Sequence, residues 1–204
     1  MRPVITTIIC TIVVKALAVH GSIIAGYAPG WKNVDNVDFG QYTHINLAYA
    51  QPLANGSFAL ETSYDVADFS KRVQGAGARA LLALGGWSGS IYFSSILKDT
   101  DMRGRLVSGV VDCLRDNQLD GIDIDWVANE CNQLDVQNDA ANLLVFLKEL
   151  YDALEAGFSS KKLIALGVGL TPFLGPDGPL HDVSEYARLV DYINILAYDV
   201  NGPY

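Results

Sequence analysis

The sequence predicts an α/β fold built on a parallel sheet, and three observations carry that expectation. Short β-type runs alternate with helix-period patterns from residue 22 to the end of the chain. Repeated β-then-α units of this kind demand parallel strands with helices outside them. The strand-like runs are also continuously apolar, as strands covered on both faces are. Two architectures satisfy the pattern, an open doubly wound sheet and a (β/α)8 barrel. No G-x-G-x-x-G follows the first strand, so a nucleotide-binding open sheet gains no support.

The elements follow in order. Ser22–Tyr27 is an apolar run that stops at Pro29-Gly30. Thr43–Ala50 reads as a second strand, closed by a turn at Asn55-Gly56. Asp65–Gly75 has helical spacing, and Ala78–Gly86 is a third strand ending in Gly-Gly. In Asp101–Asn117, Met102, Leu106, Val107, Val110, Val111 and Leu114 share one side of a helix. Leu119–Trp126 is a fourth strand. Asn138–Ala156 repeats leucines at helical spacing, with Gly157 just past its end. Leu163–Thr171 is a fifth strand, Asp182–Leu189 a short helix and Tyr192–Asp199 a sixth strand. There is no internal repeat and no low-complexity linker.

Residues 1–18 have the layout of a secretory leader. Arg2 supplies a positive start, Val4–Val14 is largely apolar, and Ala16-Leu17-Ala18 forms a small-residue cleavage pattern. The run is short of the about 20 apolar residues that span a bilayer, which argues against an anchor. The expected product is a secreted chain of residues 19–204, with no membrane attachment after cleavage. Loss of Arg2 and Lys15 leaves 12 basic residues against 23 acidic ones, a net charge of −11 in place of −9. Such a chain has no general attraction for nucleic acid or an anionic membrane and suits a neutral substrate.

Cys10 would leave with the leader. Cys113 and Cys131 flank the fourth strand and could pair in an oxidising compartment, but those places need not lie within disulfide reach, so two unpaired thiols are the simpler expectation. Asn55-Gly56-Ser57 is a glycosylation sequon in a turn. His20, His44 and His181 have no metal-ligand spacing, and no cofactor motif is present.

The chemistry concentrates in Asp120-Gly121-Ile122-Asp123-Ile124-Asp125-Trp126-Val127. Side chains of a strand alternate between faces, so Asp123, Asp125 and Val127 point one way and Ile122, Ile124 and Trp126 the other. The apolar set is expected against the helices and the acidic set inside, near the strand ends where such sheets place active sites. Two buried carboxylates side by side are costly unless protonated or hydrogen-bonded, which is an expense folds seldom carry for stability alone. A calcium loop wants Asp or Asn at alternating places around a Gly turn and a later bidentate acid, and with Ile122 and Ile124 filling the intervening positions a strand fits the segment better.

This segment resembles the D-x-x-D-x-D-x-E signature of glycoside hydrolase family 18, the chitinases, through Asp120, Asp123 and Asp125. Other pieces resemble the same family in the same order. They are Gly26-Tyr27, Thr43-His44-Ile45-Asn46 with Ala48-Tyr49-Ala50, Leu81–Ser90 with Gly85-Gly86-Trp87, Thr171-Pro172-Phe173, and Asp191–Asp199. The resemblance covers essentially residues 22–204. It implies a (β/α)8 TIM barrel of the chitinase type, truncated to about six β/α units. It also implies chitin or N-acetylglucosamine oligosaccharides as partners, and cleavage assisted by the sugar's own acetamido group. Carried over, Asp125 would orient that group and Asp123 would share a proton with it. Tyr198 would hydrogen-bond the acetamido oxygen. Tyr27, Asp199 and Trp87 would line the sugar cleft.

The pattern also breaks. Val127 occupies the position of the family's acid Glu and has no proton to give. Glu130, the nearest carboxylate beyond it, has the opposite strand parity. Ala83 and Leu196 stand where the family carries Ser and Met. The stretch Val127-Ala128-Asn129-Glu130 is shorter than in fungal relatives. Six strands in place of eight predict unpaired strand edges, an exposed inner face, and association or a chain that is part of a larger product.

Overall fold

The computed structural model describes residues 22–127, 134–170 and 173–198. The expected leader, Glu130, Cys131 and Asp199 lie outside the described residues. The first half comprises β1 (Ala25–Pro29), β2 (His44–Pro52), β3 (Phe58–Leu60), α1 (Val66–Gly75), β4 (Arg79–Gly85), α2 (Gly86–Gly89), α3 (Phe93–Lys98) and α4 (Thr100–Asp116). The second comprises β5 (Gly121–Asp125), α5 (Asp139–Gly157), β6 (Leu163–Val168), β7 (Leu174–Gly175), β8 (Gly178–Pro179), α6 (Ser184–Ala187) and β9 (Tyr192–Ile195).

The strands lie in the order β1-β2-β4-β5-β6-β9 with every neighbour parallel. This sheet curls. In a flat sheet, five spacings of about 4.8 Å would hold β1 and β9 some 24 Å apart. Yet Asn194 Nδ2 on β9 lies 3.5 Å from the Tyr27 hydroxyl on β1. The arc is therefore a half-barrel with a concave inner face, as the truncated-barrel expectation requires.

The convex face carries the main core. Ile45, Leu47, Leu82, Leu84, Ile122, Ile124, Ile164 and Leu166 pack with Leu106, Val110 and Leu114 of α4 and with Phe146, Leu147 and Leu150 of α5. Trp126 continues this outer set and stacks on Phe93, ring centroids 5.3 Å apart. Helix starts follow their capping residues. Asp65 accepts from the Asp68 amide at α1, and Asp99 accepts from the Asp101 and Met102 amides at α4.

Boundaries differ from the sequence reading where pairing, not hydropathy, decides them. β1 starts at Ala25, opposite His44, because Ile24 spends its carbonyl on the Thr43 and His44 amides. β6 stops at Val168 and β9 at Ile195, where their mutual ladder ends, and not at Thr171 and Asp199. The third strand continues directly into α2 and α3, which the sequence reading left unassigned. Two small antiparallel pairs also went unread. β3 folds back on β2 through the Asn55-Gly56 turn, and β7 pairs with β8 across Pro176-Asp177. Asn55 sits exposed at its turn, its Oδ1 accepting from the Ser57 amide and hydroxyl.

A largely buried ion pair joins two helices of the outer layer. Arg103 of α4 is only 7% exposed and donates through Nε and Nη2 to Glu149 of α5, at 2.8 and 2.9 Å. Its Nη1 donates to the Leu97 carbonyl. Removing one partner of a buried pair leaves an uncompensated charge. Because the Glu149 side chain is 38% exposed, water can partly take its place. Glu149→Ala is expected to lower unfolding stability by about 2 kcal/mol, less than the 3–5 typical of a fully buried pair. Urea denaturation measures it, and an unchanged midpoint would show that the pair contributes nothing net.

Candidate functional site

The concave face is lined by small residues around two acids. Ala83 pairs with Asp123 and Asp123 with Ala165, while Gly85 pairs with Asp125 and Asp125 with Gly167. Parallel partners share a face, so the strand alternation predicted for Asp123 and Asp125 places both in the hollow. Two glycines make room for the second acid. A Cβ on Gly167 would stand 2.8 Å from Asp125 Oδ1. A Cβ on Gly85 would stand 2.4 Å from the Asp125 carbonyl oxygen, at a φ of +115° that disfavours any side chain.

Asp123 is fully buried and receives donors from three other strands. Its Oδ2 accepts from the Tyr27 hydroxyl at 2.6 Å and from Asn46 Nδ2 at 2.9 Å. Its Oδ1 accepts from Asn194 Nδ2 at 3.3 Å. This carboxylate therefore ties β1, β2 and β9 to β5. His44 and Tyr192 close the layer below, ring centroids 5.1 Å apart. At this level the inner face is filled by side chains, while Tyr27, Tyr192 and Asn194 stay partly exposed, so the interior is open only in part. Burial raises the Asp123 pKa to about 6, the Tyr27 hydrogen bond pulls it back, and the Asp125 charge adds to the rise. Burial and the nearby acids push the Tyr27 hydroxyl the same way.

Asp125 differs. It is 4% exposed, and among the described residues its Oδ1 has no hydrogen-bond partner. Burial raises its pKa, and the Tyr49 hydroxyl lowers it again. It lines a cavity of about 590 Å³ at the C-terminal ends of the strands, together with Tyr49, Trp87, Val127 and Tyr198. The predicted positions Asp125, Val127, Trp87 and Tyr198 are thus brought to one opening. Trp87 and Tyr198 are each 66% exposed there. Trp31, 59% exposed, lies nearly parallel to Tyr49 at 6.4 Å, and Tyr49 lies 6.3 Å from Tyr27. Val127 is held by its backbone, the amide donating to Ser90 Oγ at 2.9 Å.

The third signature acid does something else. Asp120 lies outside the hollow and fastens β4 to β5, accepting from the Ala80 amide at 2.9 Å and from Arg79 Nη1 at 3.0 Å. Cys113 is a free thiol on α4, pushed up to about 11 by burial. Three residues of the site were given no role from sequence. Asn46 and Asn194 carried a usable signal, since each is a polar residue at an inward position of an apolar strand. Tyr49 did not, because the β2–β4 register shifts between Ala48 and Ala50 and the alternation fails there.

Comparison with known proteins fits this geometry. The family model described as glycosyl hydrolases family 18 matches residues 23–204. The chain belongs to glycosyl hydrolase family 18. A chitinase-like effector of Moniliophthora roreri is 33% identical over all of this chain and 52% of its own length. A chitinase-like effector of Moniliophthora perniciosa is 30% identical over 88% of this chain and 43% of its own. A crystal structure of a Rhizomucor miehei chitinase superimposes with a TM-score of 0.81 at 30% identity, covering 89% of this chain and 50% of that one. The chain therefore spans about half the length of these family 18 relatives. Its half-barrel is that part of the family's barrel.

Proposed function

We propose that this family 18 chain binds β-1,4-linked N-acetylglucosamine oligomers, the fragments of chitin, and hydrolyses them slowly or not at all. We also infer that it acts outside the cell, on the strength of the leader pattern in residues 1–18. The observation that carries the sugar reading is Asp125 Oδ1, without a hydrogen-bond partner among the described residues, at a mouth lined by Tyr49, Trp87 and Tyr198, with Trp31 stacked against Tyr49. A buried acceptor without a donor is costly, and an acetamido N–H would satisfy it. Aromatic faces supply the apolar platforms that sugar rings stack on.

The same seat positions the acetamido oxygen for the family's substrate-assisted step. There it attacks the anomeric carbon while the bond to the leaving oxygen breaks. Asp125 would hold the N–H and balance the positive charge that develops on the ring. Asp123, tied to three strands, would hold a proton next to it so that both acids need not be charged together. The leaving oxygen also needs a proton, and Val127 offers none. That gap favours binding over turnover.

Isothermal titration with chitotetraose tests the binding. Asp125→Ala is expected to weaken it at least about tenfold, the effect of losing a hydrogen bond to a charged group. If folded parent protein shows no affinity for the tetramer at millimolar concentration, the sugar reading fails.

A further inference from the structure

The cavity beside Asp125 continues where a sugar chain has no reason to go. Asp125 faces the hollow of the sheet, whereas Leu166 faces the helices and belongs to the outer core. One cavity touches both, so it passes over the ends of β5 and β6 and dips between the sheet and α5. Polar groups gather at its inner end in Asp125, Tyr49 and Tyr198, and Asp139, which lines the α5 side, spends its two oxygens on the Ser94 hydroxyl and the Asp135 amide. Its outer end is walled by Leu134, Val136, Leu143, Leu166, Phe173 and Leu174. Val127 lies between the two ends and extends the aliphatic wall up to the acid.

Sugar hydroxyls would find no partners among those six side chains, and their desolvation would go unrepaid. An acetyl group is too short to line such a passage. A linear hydrocarbon attached to an amide at Asp125 would fill it. A free fatty acid fits less well, because its carboxylate would meet Asp125 and, behind it, Asp123. A volume near 590 Å³ with mostly apolar walls and a few grouped polar atoms is that of a ligand pocket.

We propose that the site takes glucosamine oligomers carrying an N-acyl chain longer than acetyl, with the sugar at the mouth and the chain in the apolar passage. This rests on the sugar-binding reading. The test is isothermal titration of the full chain with three probes. They are all-acetyl chitotetraose, tetramers in which octanoyl replaces acetyl on one sugar at a time, and sodium octanoate. Each methylene taken from water tightens binding about fourfold, and with half of the added chain buried the gain is on the order of a hundredfold. At least one octanoyl tetramer is expected to show it. Val136→Asp and Leu174→Asp, at partly exposed wall positions, are expected to remove that gain while the all-acetyl tetramer still binds. Equal affinity for acetyl and octanoyl tetramers would overturn the proposal, as would octanoate alone binding as tightly as the acylated sugar. No affinity for any tetramer would be the failure of the sugar reading, and of this one with it.

Discussion

Val127→Glu is expected to raise release from a chromogenic chitobioside by about 10²–10⁴ over a parent whose own release is negligible, the range that a general acid contributes. The backbone is already in place for it. Ser90 Oγ accepts from the Val127 amide and donates to the Gly86 carbonyl, so the segment after β5 is pinned to the start of α2. Val127 lines the same cavity as Asp125, two residues on and on the same side. A carboxyl introduced there would stand near Asp125 in a mostly apolar cavity. Both influences favour its protonated form, which is the form an acid needs near neutral pH. Initial rates for parent and variant, at several substrate concentrations, separate kcat from KM. A gain confined to kcat identifies a proton donated in the transition state. Parent turnover at ordinary chitinase rates would show that the acid role lies elsewhere. A variant as inert as the parent would show that Val127 is not the main obstacle.

Much of this site was legible because one local rule governs it. Alternation along Gly121–Asp125 aims the two acids inward and Ile122 and Ile124 outward, and the ladder to Ala83 and Ala165 holds that register. Parallel strands with helices outside them followed from the repeated β/α units, and the barrel curvature from the family resemblance. What stayed hidden depends on contacts between distant strands. No spacing in the sequence says that Tyr27, Asn46 and Asn194 meet on one carboxylate 71 to 96 residues away. Asp120 shares the motif but was given no role from sequence; it precedes β5 and spends its oxygens on Arg79 and Ala80 of β4 and on Gln74 of α1. The β7–β8 hairpin has two residues per strand, too few for any period to register. The apolar passage is the clearest case. It is formed by residues from the segment before α5, from α5 and β6, and from the start of β7, and no spacing in the sequence says that these pieces meet.

Raising the pH from 4 to 7 is expected to cost this protein about 2 kcal/mol of unfolding stability through Asp123 alone. The sign follows from the direction of the shift. In the unfolded chain the carboxyl titrates near 3.8, and in the folded protein near 6. Between those values the folded state binds more protons than the unfolded one, so stability falls as pH rises. Well below the unfolded value the group costs nothing, and only about a unit above the folded value of about 6 is its full cost present and constant. Asp125 is shifted in the same direction by burial and adds to the trend. Asp38, Asp135 and Asp182, outside the core, are shifted the opposite way by their hydrogen bonds, so the total profile mixes signs. The clean measurement is therefore a difference. Urea unfolding of the parent and of Asp123→Asn is followed from pH 4 to 7, and the parent is expected to lose stability relative to the variant through that window. Asn with its carbonyl at the Oδ2 position keeps an acceptor for the Tyr27 hydroxyl and Asn46 but presents an amide to Asn194, so the variant starts weaker at pH 4. A difference independent of pH would mean that Asp123 is charged throughout, and the proton-sharing role proposed for the pair would go with it.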